Sequence, residues 1–127
     1  MIYTVAVNAA LDYYVYTDNF AVGEINKGIK TQIFAGGKAL NVSTVLTRFG
    51  EENTALGFAA GFSGQKLLEL LENEGIKYDF VRLKSGNTRI NVKIREDKET
   101  DINMDGDIPT DDDIKVLFSK LQRFHRL

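Results

Sequence analysis

Cysteine is absent from the 127 residues, which excludes disulfides and thiolate metal sites. A single histidine, His125, is too little for a histidine-rich metal centre. An excess of positive charge is missing as well. Sixteen Lys and Arg stand against eighteen Asp and Glu, a formal net charge of −2, so nucleic acid and anionic membrane are not expected partners. No apolar run is long enough to span a bilayer, and Met1-Ile2-Tyr3-Thr4-Val5 carries no charged leader. Neither a signal peptide nor a membrane span is therefore expected, and the expected compartment is the cytoplasm. What is present is ordinary for a globular chain: 43% hydrophobic and 27% charged residues, enough for one domain with a modest core.

The chain is organised around Ala35-Gly36-Gly37-Lys38-Ala39-Leu40-Asn41-Val42-Ser43. Two glycines permit a sharp turn and close backbone approach. The apolar spacing of Leu40, Val42, Val45, Leu46 and Phe49, stopped by Gly50, then reads as a helix. A glycine turn that opens a helix gathers free N–H groups and the positive end of the helix dipole, a place for an anion or a polyhydroxylated ligand. The alternative is a strand-to-helix loop whose glycines serve geometry only.

Taken in order, Ile2 to Val7 reads as a buried strand, with Asp12 a few residues past its end. A carboxylate there suits hydrogen bonds to sugar hydroxyls, or a turn or cap. Tyr13 to Asp18 and Gly28 to Phe34 alternate as two strands inserted before the first helix, which suggests a flap made of sheet. Thr54 to Phe58 is a second core strand, Gln65 to Glu74 a second helix closed by Gly75, and Ile76 to Arg82 a third strand. The order predicts a parallel wound α/β sheet. Thr88 to Arg95 and Glu99 to Met104 form a second hairpin, able to pair with the first. Arg89 suits a phosphate or carboxylate, or a solvated strand face. Thr110 reads as an N-cap, and Asp111, Asp112 and Asp113 as first-turn residues of a helix rather than a metal cluster. Ile114, Val116, Leu117, Phe118 and Leu121 are its expected core face, and His125 a frayed end.

These residues carry a resemblance. Tyr3 to Asp12, Gly36 to Ser43, Leu56-Gly57-Phe58, Thr88 to Lys93 and Glu99 to Asn103 resemble, in order and spacing, the N-terminal part of the PfkB/ribokinase-like carbohydrate kinases. The most similar branch is that of 1-phosphofructokinase and tagatose-6-phosphate kinase. The resemblance implies a ribokinase-like α/β fold in which residues 1–127 form one partial domain. Lid strands at about 12–34 and 88–104 would be inserted in its core. It implies phosphorylation of a sugar phosphate with ATP and magnesium, fructose 1-phosphate to fructose 1,6-bisphosphate being the expected case.

Carried over by position, Asp12 would bind sugar hydroxyls, Gly36 and Gly37 would approach the sugar by backbone, and Asn41 would hydrogen-bond it. Lys38 and Arg89 would lie toward its phosphate, with Lys27 a further candidate. The chain departs from the family pattern at Ala9, where a proline is usual, and at Ala39, where a glycine is usual. The family's Gly-Ala-Gly-Asp motif, with its catalytic Asp, has no match, so no catalytic or metal-binding residue is assigned and the chain is expected to be inactive alone. The alternative is a stand-alone sugar-phosphate-binding or oligomerisation module. A homodimer through the lid or the exposed sheet edge is expected in either case.

Overall fold

The computed structural model describes residues 1–123; the expectation for His125 lies outside them. The elements run β1 (Ile2–Ala6), β2 (Ala10–Thr17), β3 (Gly28–Gly36), α1 (Lys38–Arg48), β4 (Asn53–Ala59), α2 (Gly61–Asn73), β5 (Tyr78–Arg82), β6 (Arg89–Arg95), β7 (Glu99–Ile102) and α3 (Asp111–Arg123). β1, β4 and β5 form a parallel sheet in the order β1-β4-β5. The other four strands form a second sheet, β3-β2-β6-β7, in which β2 lies antiparallel to β3 and parallel to β6. This is the α/β arrangement expected, and the strand bounds move by only a few residues.

Helix ends are set by local chemistry. Gly50 and Gly75 have φ of 77° and 71°. In α1 the Gly50 N–H donates to Thr47 O and the Glu51 N–H to Leu46 O; in α2 Gly75 and Ile76 donate to Glu72 O and Leu71 O. Each pair of bonds satisfies terminal carbonyls that the helix leaves open, and Ile76 packs back into the cluster that holds Leu71. At the start of α3, the Asp113 N–H donates to Thr110 Oγ1 (3.2 Å) and the Thr110 N–H to Asp113 Oδ2 (2.9 Å). This reciprocal cap accounts for one of the three aspartates, and the dipole favours the others.

The parallel sheet separates two apolar layers. On one side Leu40 of α1 and Leu67, Leu68 and Leu71 of α2 pack on Ala6, Ala55, Ala59 and Phe80. On the other, Leu117 of α3, with Ile114 and Leu121, covers Leu56, Phe58 and Val81. Lys120 binds Asp79 at 2.6 Å and fixes α3 beside β5. The apolar face of α3 is narrower than its sequence suggests: Val116 is 46% and Phe118 58% exposed, because they flank the Ile114-Leu117-Leu121 stripe. Helix α2 begins four residues earlier than expected, at Gly61. Gly61, Ser63 and Gly64 belong to a first turn pressed against the loop before β6, not to a loop: a Cβ on Gly64 would sit 2.9 Å from Thr88 Oγ1.

On the second sheet, Tyr14, Tyr16, Lys93 and Arg95 share a face. Arg95 lies over the Tyr14 ring at 5.2 Å and Lys30 over Tyr16 at 4.5 Å. Arg95 donates to Asp101 Oδ1 at 2.7 Å, and Lys93 contacts the other carboxylate oxygen at 3.3 Å. The hydrogen bond from Arg95, then that from Lys93, holds the Asp101 carboxyl below its usual range.

Two predictions follow from this packing. Leu117→Ala should cost about 2–5 kcal/mol and Phe118→Ala no more than about 0.5 kcal/mol in denaturant titrations; equal losses would overturn the stripe. The Asp101 contribution is present above the ordinary carboxylate range and lost as pH falls from there through the lowered native value. Asp101→Asn should therefore flatten the acid side of the stability curve, read from unfolding midpoints between pH 6 and 2.

Candidate functional site

The turn between β3 and α1 is made by Gly36, which is buried, and Gly37, which is half-buried. Gly37 takes φ 118° and serves as the N-cap of α1 without a side-chain cap; the first helical bond runs from the Asn41 N–H to Gly37 O at 3.0 Å. The N–H groups of Lys38, Ala39 and Leu40 precede that bond, at the positive end of the helix dipole. Across the turn stands Asp12, the third residue of β2 rather than a loop residue beyond β1. Its neighbours are Phe34 on β3 and Asn91 on β6. The carboxylate lies over Gly36 so closely that a Cβ there would overlap it, Oδ2 first. Glycine at position 36 is thus required by close approach and at 37 by its dihedral angle.

Asp12 and Asn41 line one cleft of about 380 Å³, between the edge strand β3 and the two helices α1 and α2. Tyr14, Phe34, Leu70 and Ile76 supply its apolar wall. Lys38 is exposed in the first turn of α1. The structure thus brings Asp12 and Asn41 to one cleft and Asp12 against Gly36, while Gly37 and Lys38 stand at the head of α1 and do not line that cleft. What they can do chemically is limited and definite: accept hydrogen bonds from hydroxyls at Asp12, donate or accept at Asn41, and attract an anion at Lys38 and the helix terminus.

Arg89 and Lys27 are placed otherwise. The Arg89 guanidinium donates to Asn8 O at 2.9 and 3.3 Å and to Met104 O at 3.3 Å. It is neither on a solvated strand face nor free, since three of its five N–H groups hold backbone carbonyls. Lys27 sits at the far end of the first hairpin, next to the Gly28 that pairs with Thr17. Thr17 lies five residue steps along β2 from Asp12, about 17 Å of strand. At that end the Phe20 N–H donates to Glu96 Oε2 at 2.7 Å, so both hairpin tips lie together and away from Asp12.

Asn91 was not expected here. It stands on the polar side of an alternating strand, yet it is only 6% exposed and its Nδ2 donates to Asp12 Oδ1 at 3.1 Å. The only available signal was its place between Arg89 and Lys93 on β6. Ala39, where the family pattern has glycine, lies within α1, and Asn19 is the one non-glycine with positive φ among the described residues. An alanine at 39 therefore meets no strain.

A family model described as pfkB family carbohydrate kinase matches residues 1–115. The chain is 39% identical over 122 residues to the 1-phosphofructokinase of Bacillus subtilis, covering 96% of the chain and 40% of that protein. It is 36% identical over 123 residues to the D-tagatose-1-phosphate kinase of Bacillus licheniformis, covering 97% of the chain and 40% of the relative. Among solved structures, phosphofructokinase-2 of Escherichia coli in complex with substrates and products superposes with a TM-score of 0.90 at 23% identity, over 96% of the chain and 40% of that structure. At that identity the likeness speaks for the fold, which is ribokinase-like. The chain spans about 40% of the length of the curated relatives it matches.

The turn makes a paired prediction. Gly37→Ala should destabilise by about 1–2 kcal/mol, because alanine resists positive φ. Ala39→Gly, which restores the family residue, should also destabilise, by about 0.5–1 kcal/mol, because glycine weakens a helix. Calorimetric midpoints check both; a stabilising Ala39→Gly would contradict the helical assignment.

Proposed function

Because the chain belongs to the pfkB family of carbohydrate kinases, we propose that it is the sugar-phosphate-binding portion of an ATP-dependent sugar-phosphate kinase, with fructose 1-phosphate the preferred substrate. The observation that carries this reading is the Asp12 carboxylate lying over Gly36 at the head of α1, with Asn41 on the same cleft. A carboxylate backed by a glycine turn recognises hydroxyls on a ligand that can approach the backbone. Lys38 and the helix terminus supply the attraction for a phosphate. In this reading Arg89 has two N–H groups left for the phosphate while the other three hold carbonyls, and Lys27 is left out of the site formed within one chain.

Phosphoryl transfer depends on positioning and charge stabilisation around the γ-phosphate and its metal. Among the described residues, no group of three or more His, Asp or Glu side chains converges as a metal site. No magnesium or nucleotide contact is assigned to this chain, and no step is routed through either. ATP and magnesium are proposed for the further length that the relatives have. The sheet edges support that division. β3 carries Lys30, β5 Asp79 and Arg82, and β7 Glu99 and Asp101, whereas β1 has no charged residue along Ile2–Ala6. Free edges are usually blunted by charge, so an uncharged edge suits a strand built to be paired.

A second reading, self-association through the four-stranded sheet, is favoured by one observation. Tyr13, Val15, Val92, Ile94 and Ile102 share the face opposite Asp12, with Ile102 52% exposed. In this reading the sheet is a lid whose polar face turns to the sugar and whose apolar face meets a second copy. Among the described residues, no helix is long and apolar enough to cross a membrane. A cytoplasmic place is part of the proposal.

Thermal unfolding with and without fructose 1-phosphate, tagatose 6-phosphate and sulfate tests the main reading. A ligand at about a hundredfold its dissociation constant should stabilise the chain by about 2.7 kcal/mol. Asp12→Ala and Asn41→Ala should each remove most of that shift. An unshifted midpoint with every sugar phosphate, or one that moves equally with sulfate, would refute sugar recognition by this chain.

A further inference from the structure

Asn91 behaves as a core residue although it stands on the polar face of its strand. Its Nδ2 donates to Asp12 Oδ1 at 3.1 Å, and its Oδ1 accepts the Met104 backbone N–H at 3.0 Å. These partners leave the amide one orientation. A carboxylate only accepts and a backbone N–H only donates, so a flipped amide would face like with like at both ends. Burial makes either loss expensive, because water does not replace the missing partner.

The second contact leads to another part of the chain. β7 ends at Ile102, which pairs with Val92, and the described ladder stops there. Met104 is instead held by side chains of β6: Asn91 takes its N–H, and Arg89 donates to its carbonyl at 3.3 Å. Three residues on, Asp107 Oδ2 accepts the Asn87 backbone N–H at 2.6 Å. Residues 103–107 therefore lie along the start of β6, clamped by its side chains and by the loop before it. Asn91 joins this segment to the carboxylate beneath it. With Oδ1 engaged by the amide, the other Asp12 oxygen is turned toward Gly36 and the head of α1.

We propose that Asn91 is a positioning residue: it fixes the rotation of the Asp12 carboxylate so that Oδ2 faces the glycine turn, and it couples that rotation to the seating of residues 103–107. The ligand consequence rests on the reading of Asp12 as a sugar-hydroxyl acceptor. The linkage between Asn91, Asp12 and Met104 does not. Displacing the segment withdraws the Met104 N–H donor from the amide oxygen and frees the amide, and with it the carboxylate, to turn.

Two measurements on the whole chain test this. In the first, NMR follows the Asn91 side-chain amide and the hydrogen exchange of the Met104 N–H in wild type and Asp12→Ala. Shifted Asn91 resonances and at least tenfold faster Met104 exchange are expected; unmoved resonances with unchanged exchange would overturn the proposal, whether or not a sugar binds. In the second, calorimetry with fructose 1-phosphate compares wild type, Asn91→Leu, Asp12→Ala and the double variant. Asn91→Leu should weaken binding about tenfold, and the double variant should bind no more weakly than Asp12→Ala, since a residue acting through Asp12 has nothing left to position. A double variant weaker than Asp12→Ala would make Asn91 an independent contact and overturn its positioning role. Absence of sugar-phosphate binding in the wild type, together with moved Asn91 resonances, would refute the sugar reading while supporting the linkage. Should Asn91→Leu fail to fold, the Asp12→Ala spectra decide.

Discussion

Strand β2 is hydrogen-bonded on both sides, antiparallel to β3 and parallel to β6, and the two hairpins pair along it. Its register decides what the protein can present. Ala10 opposes Gly36 and Arg89, and Asp12 opposes Phe34 and Asn91. A one-residue slip would turn Asp12 to the face of Tyr13 and Val15 and bring an apolar side chain against the glycine turn. The register is held at the root of the strand, where Ala9, Ala10 and Leu11 are all buried next to the helical layer. It is held at the far end by the Phe20–Glu96 bond between the hairpin tips. Fixing both ends of a parallel pair between distant segments is costly in loop entropy, and the burial at the root is what offsets it.

The same end of the molecule is crowded with small residues. Ala59 of β4, Ala9 and Ala10 at the entry to β2, and Gly64 in α2 let backbones approach where larger side chains would separate the two sheets. The polar groups left in that contact are satisfied by two short side chains. Thr88 Oγ1 accepts the Ala60 N–H at 3.0 Å, and Ser63 Oγ donates to Thr88 O at 2.6 Å. Another buried pair, Thr4 with Ser43 at 2.6 Å, ties β1 to α1. Buried hydroxyls of this kind stabilise by avoiding unpaired groups rather than by any large gain of their own, and they also specify one packing over others. The site thus rests on a rigid floor of close-packed backbone, as a cleft for a small polar ligand requires.

Much of this was legible in the chain. Gly50 and Gly75 announced helix ends because a left-handed cap is written in one residue, and Thr110 announced a helix start for the same reason. Alternation located β2, β3 and β6 of the second sheet, and Gly36-Gly37 was legible as a glycine turn that opens a helix. What was not legible depends on distance in sequence. Alternation assigns Asn91 to a polar face but cannot say that Asp12 and Met104 cover that face. Helical spacing admits Val116 and Phe118 to an apolar stripe, while the width of the stripe is fixed by the sheet beneath it. The early start of α2 was hidden because Gly61 and Gly64 discourage a helix locally, and the contact with Thr88 outweighs that preference.

On the proposed reading, the geometry separates two parts of ligand recognition that a motif lists together. The hydroxyl-accepting part is organised: Asp12 is held by an amide, backed by a glycine, and shares a cleft with Asn41. The phosphate-directed part is not. Lys38 is exposed, the Arg89 guanidinium is committed to the carbonyls of Asn8 and Met104, and Lys27 lies at the other end of the sheet. A carboxylate that must select among hydroxyls gains from being fixed, since discrimination is lost when it can rotate to suit any ligand. A cation that must capture a phosphate gains from reach, and long side chains keep it until the anion arrives. On the proposed reading, the fixed carboxylate at Asp12 and the dispersed placement of Lys38, Arg89 and Lys27 would answer different physical tasks, in a stretch that spans about 40% of its relatives' length.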